Sequence, residues 1–277
     1  MSSPEFGLPP EITQMKSKKL PDNETYAVEG IQEVLKNPKT VEKIQKAAEG
    51  RAEDIFESGK LKERIFEGET VLYIGAGTGH VAKKIEDETH AKVIKFDLAD
   101  LRTPDTKDEK FAMANARRLP IKSESLDTVC LFDILHHTEN QEEILEEAMR
   151  VLKPGGKCLV MEDTIPGVTI NDGAGRIVQE KWIDVKKKIV GKMDDVFNQQ
   201  PAGVNPHNYH SIADWEKIFE KTGFYAEENG SNSWHWGIPD FLGADRSKRP
   251  DHNTIARPFE ATMFEVHKPI SLDQEIE

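Results

Sequence analysis

The chain has 277 residues, 37% of them hydrophobic, with 19 glycines, which is enough to build a sizeable core. Its 37 Lys and Arg against 50 Asp and Glu leave a net charge of -13, a balance that disfavours holding a nucleic acid or docking on anionic lipid. Cys130 and Cys158 lie in apolar runs without disulfide or zinc spacing, residues 1–20 lack an apolar signal core, and no run of about 18 apolar residues occurs, so a reduced, cytoplasmic chain without a membrane span is expected.

Residues 1–24 are rich in Pro, Lys and Ser without periodicity and read as a mobile arm. Residues 25–66 read as N-terminal helices. Tyr26, Ile31, Val34 and Leu35 form one amphipathic face that stops near Asn37-Pro38, and Thr40 caps a second helix carrying Val41, Ile44, Ala48, Ile55 and Phe56. Residues 67–268 carry the pattern of one α/β domain. Strands are expected at 71–74, 91–96, 111–114, 128–132 and 157–161, with helices at 81–87 and 142–152 between them. Pro154-Gly155-Gly156 is expected to end the second of these helices. Alternation at this spacing predicts a doubly wound, mostly parallel sheet with an N-terminal helical addition and an inserted helix and loop cap. The domain would divide into a first half, 67–165, and later additions, 166–258. Within the latter, Ile177, Trp182, Val185, Ile189, Met193, Val196 and Phe197 make a helical stripe, and Ser211 caps a helix through Trp215 and Phe219 that ends at Gly223. Phe224 opens a strand, residues 234–258 are irregular, residues 259–267 alternate like a strand, and 269–277 form an acidic tail.

Gly75-Ala76-Gly77-Thr78-Gly79 follows the first strand and opens a helix. Glycines there permit a tight turn and let a ligand approach the backbone. A dinucleotide fingerprint counted from Gly75 needs its third glycine at position 80, which is His80, and this counts against a nicotinamide-dependent oxidoreductase. Asp97, at the end of the second strand, can accept both hydroxyls of a ribose, or it is a solvated turn residue. Asn115 and Ala116 lie beyond the third strand. The Asn115 amide can read an adenine edge, or simply shape a turn.

These residues belong to a longer series. The string from Val71 to Gly79 is followed by Asp97 and then Asn115-Ala116-Arg117-Arg118-Leu119-Pro120. Next come Ser125-Leu126-Asp127-Thr128-Val129, Leu135-His136-His137 and Arg150-Val151-Leu152-Lys153-Pro154-Gly155-Gly156. Together they resemble the class I S-adenosylmethionine-dependent methyltransferases, in the small-molecule branch (methyltransferase type 11) that includes quinone-ring enzymes. The resemblance covers about residues 70–165 and a Trp215-to-Phe224 segment. It implies S-adenosyl-L-methionine as cofactor. The backbone of Gly75, Ala76, Gly77 and Gly79 would pass against its methionine portion, Asp97 would hold the ribose, Asn115 and Ala116 would face adenine, and Phe132 would line the pocket. Two positions depart from the family pattern. Tyr73 stands where an acid often helps orient the cofactor's amino group or the loop, and Asn115 stands where Asp is frequent. The implied reaction is in-line methyl transfer to a small organic or lipid-like acceptor; the alternative is a cofactor-binding protein without transfer.

A general base is needed only where the acceptor arrives protonated. His136 and His137, just past the fourth strand, are the first candidates, and a helix cap and a packed ring are their plain alternatives. His207, Tyr209 and His210 precede the Trp215 helix as a second group, with a polar surface loop as the alternative. His207-x-x-His210 has no acidic or thiolate partner at ligand spacing, so no metal is expected. Trp234-His235-Trp236-Gly237-Ile238-Pro239 is either a lid over an aromatic or lipid acceptor, or the cover of a sheet edge or a homodimer contact.

Overall fold

Val71, Leu72, Tyr73 and Ile74 show no polar alternation because both faces of their strand are covered: each is at most 3% exposed. The computed structural model describes residues 38–108, 110–164, 208–234 and 260–270. The expected helix at 26–35, the stripe from Ile177 to Phe197, His207, the segment 235–258 and the two tails lie outside these residues, apart from 269 and 270.

The described elements are α1 (Pro38–Ser58), α2 (Leu61–Arg64), β1 (Thr70–Ile74), α3 (His80–Thr89), β2 (Lys92–Asp97) and β3 (Phe111–Met113). They continue with β4 (Leu126–Phe132), α4 (Gln141–Val151), β5 (Leu152–Thr164), α5 (Ile212–Lys221), β6 (Tyr225–Trp234) and β7 (Glu260–His267). Short 3-10 turns occupy Pro104–Thr106 and Leu135–His137. The sheet runs β3-β2-β1-β4-β5-β7-β6. β1 to β5 pair in parallel, and β7 runs antiparallel between β5 and β6. This is the mostly parallel α/β sheet expected from the sequence.

Period-two alternation sends neighbouring side chains of one strand to opposite cores. Leu72 and Ile74 join Phe96, Leu131, the α4 residues Ile144 and Leu145, and the α5 residues Trp215 and Phe219 on one face. Val71 and Tyr73 join Ile55 and Phe56 of α1, Leu61 of α2 and Ile85 of α3 on the other. Ile55, Phe56 and Leu61 are each at most 2% exposed. Burying one such side chain fully is worth about 1.5–3 kcal/mol, so the N-terminal helix is fixed to the sheet rather than appended to it. Cys130 and Cys158 are buried free thiols in opposite cores.

Three local expectations change. Thr40 lies inside a helix and does not cap its start, since Pro38 and Lys39 before it are already helical. Pro154-Gly155-Gly156 belongs to β5, which starts directly after Val151. There the Gly155 N–H donates to Lys268 O (3.0 Å) and the Lys268 N–H donates to Gly156 O (2.8 Å), so a tertiary partner holds the glycines, Gly155 at φ +74°, in an irregular stretch of the strand. Trp234 closes β6 opposite Ala261 and does not open an irregular segment. The Ser211 cap stands as expected, accepting from the Asp214 N–H (3.2 Å).

Candidate active site

Strand order reverses between β1 and β4: the chain leaves β1 toward β2 and β3, and leaves β4 toward β5. In open α/β sheets ligands enter the crevice beyond the carboxyl ends of such a strand pair. The glycine turn lies there. The Gly75 and Ala76 N–H groups both donate to Phe96 O (2.9 and 3.1 Å), which ties the turn to β2. Gly75 has φ +75°, and a Cβ on it would lie 2.6 Å from Ile134 Cγ2 at the exit of β4. Gly77 has φ +50°, and a Cβ there would meet nothing nearer than Gly75 O at 4.0 Å. The turn is therefore closed behind and open in front, a shape that admits a ligand against bare backbone.

Asp97 stands at the end of β2 beside this turn. Its Oδ2 accepts from the Gly77 N–H (2.8 Å) and its Oδ1 from the Leu98 N–H (2.7 Å). Burial pushes its carboxyl above the usual range, while these backbone donors pull the other way. Oδ1 also accepts a longer bond from the Ala99 N–H (3.4 Å), while Oδ2 has a second lone pair, so the acid can brace the turn and still accept from a ligand hydroxyl. The turn is also held from the side. Thr106 Oγ1 donates to Thr78 O (2.6 Å), and His80 Nδ1 lies 3.1 Å from Thr78 Oγ1. His80 Nε2 lies 3.1 Å from Asp105 Oδ2. At 6% exposure, His80 fills with an imidazole the place where a dinucleotide turn keeps a glycine.

Asn115 is exposed and its Oδ1 accepts from the Arg117 N–H (2.9 Å), so the amide oxygen shapes its own turn beyond β3. Ala116 is half-buried against the core. Phe132 is 4% exposed and meets Tyr73 edge-on, with ring centroids 5.3 Å apart. Burial holds the Tyr73 phenol well above its ordinary pKa, so it stays neutral.

The two histidines differ in surroundings. His136 is 3% exposed, and its Nδ1 donates to Glu162 Oε2 (2.5 Å) at the end of β5. Glu162 Oε1 accepts from the Ile134 and Leu135 N–H groups (3.1 and 2.7 Å). One carboxyl thus fixes both the 3-10 turn and the tautomer of the ring, leaving Nε2 as its basic nitrogen. His137 is half-buried, its ring centroid 4.0 Å from that of His136. Tyr209 stacks on His136 at 5.0 Å. His210 Nε2 lies 2.8 Å from Gln141 Oε1, and its ring sits edge-on to Trp215 at 4.9 Å. With Asn208, whose N–H donates to His136 O (2.9 Å), these contacts bring the second predicted group onto the first.

Sequence reasoning missed four charged groups of this edge. Glu162 is 0% exposed. Asp163 Oδ1 is buried without a hydrogen-bond partner among the described residues. Burial, then the nearby Asp133 carboxylate, pushes the Asp163 carboxyl up to about 7. Asp133 follows β4 with φ +53° and pairs with Arg51, which reaches over from α1. The available signal was position: acids directly after an apolar parallel strand sit at the ligand edge. Asp133, His136 and Glu162 bring one possible ligand atom each within 4.8 Å of one another, as do Glu49, His80 and Asp105. In the first group Arg51 already lies on Asp133 and His136 on Glu162, so a cation would have to displace both contacts.

A family profile described as a methyltransferase domain matches residues 72–160, the stretch from β1 through β5. Methyltransferase GfsG of Streptomyces halstedii is 24% identical over 153 residues, 52% of this chain and 53% of that protein, so the chain spans about half of that relative's length. The ubiquinone/menaquinone biosynthesis C-methyltransferase UbiE of Hahella chejuensis is 30% identical over 194 residues, 64% of this chain and 77% of that protein. The YcgJ protein of Bacillus subtilis shares the fold, with a TM-score of 0.53 at 17% identity over 77% of this chain and 98% of that one. No helix among the described residues is long and apolar enough to cross a membrane. The methyltransferase-domain match and the likeness to the Hahella chejuensis protein, 77% of which the chain covers, establish that the chain belongs to the class I S-adenosylmethionine-dependent methyltransferases.

Proposed function

We propose that this chain transfers a methyl group from S-adenosyl-L-methionine to a small organic or lipid-like acceptor by in-line displacement. When bound, the cofactor supplies an electrophilic methyl group on a sulfonium, and the protein supplies placement and a dry cavity. The observation that carries the reading is the glycine turn, open in front at Gly77 and tied to Asp97, at the same sheet edge as the His136–Glu162 pair. In this reading Tyr73, Gly75, Ala76, Gly77 and Gly79 border the methionine portion, Asp97 accepts from the ribose, Asn115 and Ala116 face adenine, and Phe132 is a wall. His137, the more exposed ring of the pair, accepts the proton from an acceptor that arrives protonated, and His136 backs it in an orientation set by Glu162. His210 anchors the loop that leads into α5. The quinone-ring names among the relatives favour a planar ring acceptor, and the net charge of -13 favours a neutral or cationic one.

Calorimetric titration with S-adenosylmethionine, S-adenosylhomocysteine and NADH tests the cofactor half. Binding of both adenosyl ligands and not NADH is expected; binding of NADH alone, or of none, overturns it. Turnover against a panel of phenols, quinols, amines and carboxylates, read as methylated product by mass spectrometry, tests the transfer. Cofactor binding with no product from any class would favour the non-transferring alternative.

A further inference from the structure

α1 packs on α3 as well as on the sheet, and it brings polar groups with it. Gln45 and Glu49 stand four residues apart on α1, so their side chains share a face. Gln45 Nε2 donates to Asp105 Oδ1, which docks that face on the 3-10 turn Pro104–Thr106. His80, the first residue of α3, reaches the same place. Glu49, His80 and Asp105 each offer one ligand atom, and the three atoms lie within 4.8 Å of one another. Unlike the Asp133, His136 and Glu162 group, no Arg or Lys among the described residues is ion-paired with either acid. Lys83, one turn along α3 from His80, is engaged by Asp87 (2.6 Å).

The imidazole is the telling member. His80 is 6% exposed, and its Nε2 is buried with no hydrogen-bond partner among the described residues. That nitrogen stands 3.1 Å from Asp105 Oδ2, yet the two are not aligned for a hydrogen bond. Nitrogen and oxygen ligands of one small cation have this relation. Bonds of about 2.0–2.2 Å to the ion leave them about 3 Å apart, with their lone pairs converging on the ion and not on each other. The other ring nitrogen agrees. Nδ1 lies 3.1 Å from Thr78 Oγ1, and a proton placed there leaves the lone pair on Nε2.

We propose that Glu49, His80 and Asp105 bind a divalent first-row transition cation such as zinc, which fastens α1 and the 104–106 turn to the start of α3. An imidazole with two carboxylates and no thiolate suits such an ion, and the imidazole selects against magnesium and calcium. Its two positive charges balance the two carboxylates, and water completes its coordination. Glu49 and Asp105 are exposed, so the ion has a route from solvent. Thr106, next to Asp105, donates from Oγ1 to Thr78 O (2.6 Å), so an ion holding the 104–106 turn also steadies the end of the glycine turn. The role is structural, and it does not depend on the cofactor assignment.

The test uses the full chain, stripped of metal with a chelator and dialysed. In calorimetry, zinc chloride should bind at least about tenfold more tightly than magnesium chloride. Glu49→Gln and Asp105→Asn, both at exposed carboxylates, should each weaken zinc about tenfold or more, whereas Asp133→Asn, in the other cluster, should change it less than about twofold. Zinc should raise the Tm of wild type and not that of the two acid variants. In nitrogen-15 spectra it should shift the Nε2 resonance of His80, assigned by its loss in His80→Gln, while Nδ1 stays protonated. Zinc no tighter than magnesium, zinc affinity unchanged in either acid variant, or affinity lost in Asp133→Asn would overturn the site. Should His80→Gln fail to fold, the two acid variants carry the comparison.

Discussion

Glu162 is the acid whose loss should be felt most widely. It is 0% exposed and accepts three donors: the Ile134 N–H, the Leu135 N–H and His136 Nδ1. Glu162→Leu keeps much of the volume and removes every acceptor. A buried donor left without a partner costs about 1–3 kcal/mol. Leu135 and His136 are 0% and 3% exposed, so two of the three donors have no recourse to water, while half-buried Ile134 has some. The apolar side chain offsets about 1–2 kcal/mol through burial. The net expectation is a loss of about 2–5 kcal/mol, or a fall in Tm of roughly 5–15 °C for a chain of this size. Glu162→Gln separates hydrogen bonding from shape: its amide oxygen can still serve both backbone groups, and its NH2 then faces His136 Nδ1, which must accept. That variant should lose about 1 kcal/mol, and nitrogen-15 spectra should show His136 in the opposite tautomer. Urea denaturation at pH 7 measures both losses. A Leu variant within about 0.5 kcal/mol of wild type, or a Gln variant as damaged as the Leu variant, would refute the account of Glu162 as the acceptor that organises this edge.

Asp97→Ala should weaken S-adenosylmethionine by about 1–3 kcal/mol in calorimetry, since charge-assisted bonds to the turn and the ribose go together; unchanged affinity would remove Asp97 from the ribose. Gly75→Ala should cost about 2–4 kcal/mol of stability, from its φ of +75° plus the clash with Ile134, whereas Gly77→Ala should cost only about 1 kcal/mol yet lose more cofactor affinity, because its Cβ enters the open front. Denaturation and titration of the two variants should rank them in opposite orders. For Asp163 the folded carboxyl is raised from 3.8 to about 7 by burial and by Asp133 and Glu162, against Arg51 and His136. The folded state therefore binds the extra proton between those values, and wild-type stability should fall as pH rises from about 4 to about 7. Asp163→Asn should flatten that slope, and parallel pH–stability curves for the two proteins would contradict it.

The sheet was legible where its chemistry is local. β1 and β4 each carry a continuous apolar run, Val71–Ile74 and Val129–Phe132, the glycine turn announces itself, and Ser211 caps as its residue type suggests. Contacts distant in sequence were not. Arg51 lies in an amphipathic helix, where any Arg reads as solvent-facing, and its partner Asp133 is far along the chain. Glu162 and Asp163 follow the apolar run of β5, where acids read as a strand's hydrated end, and only the return of the 3-10 turn onto β5 gives Glu162 its buried donors. Pro154-Gly155-Gly156 reads as a breaker because its pairing with Lys268 is invisible locally. Lys95 is similar: a lysine in β2 suggests exposure, yet it is 1% exposed and paired with Asp108.

The placement of β7 between β5 and β6 bears on how the molecule is made. β6 has β7 as its neighbour in the sheet, and β7 begins roughly 25 residues after β6 ends. During synthesis at about 5–20 residues per second, the parallel strands and their two helical layers can assemble while β6 still lacks its neighbour for a second or more. Over that interval the outer edge of β5 is also open, with the apolar residues Leu159, Val160 and Met161 along it. The nascent chain therefore passes through a stage with two unsatisfied strand edges, and its yield in a cell depends on what shields them until residues 260–267 emerge.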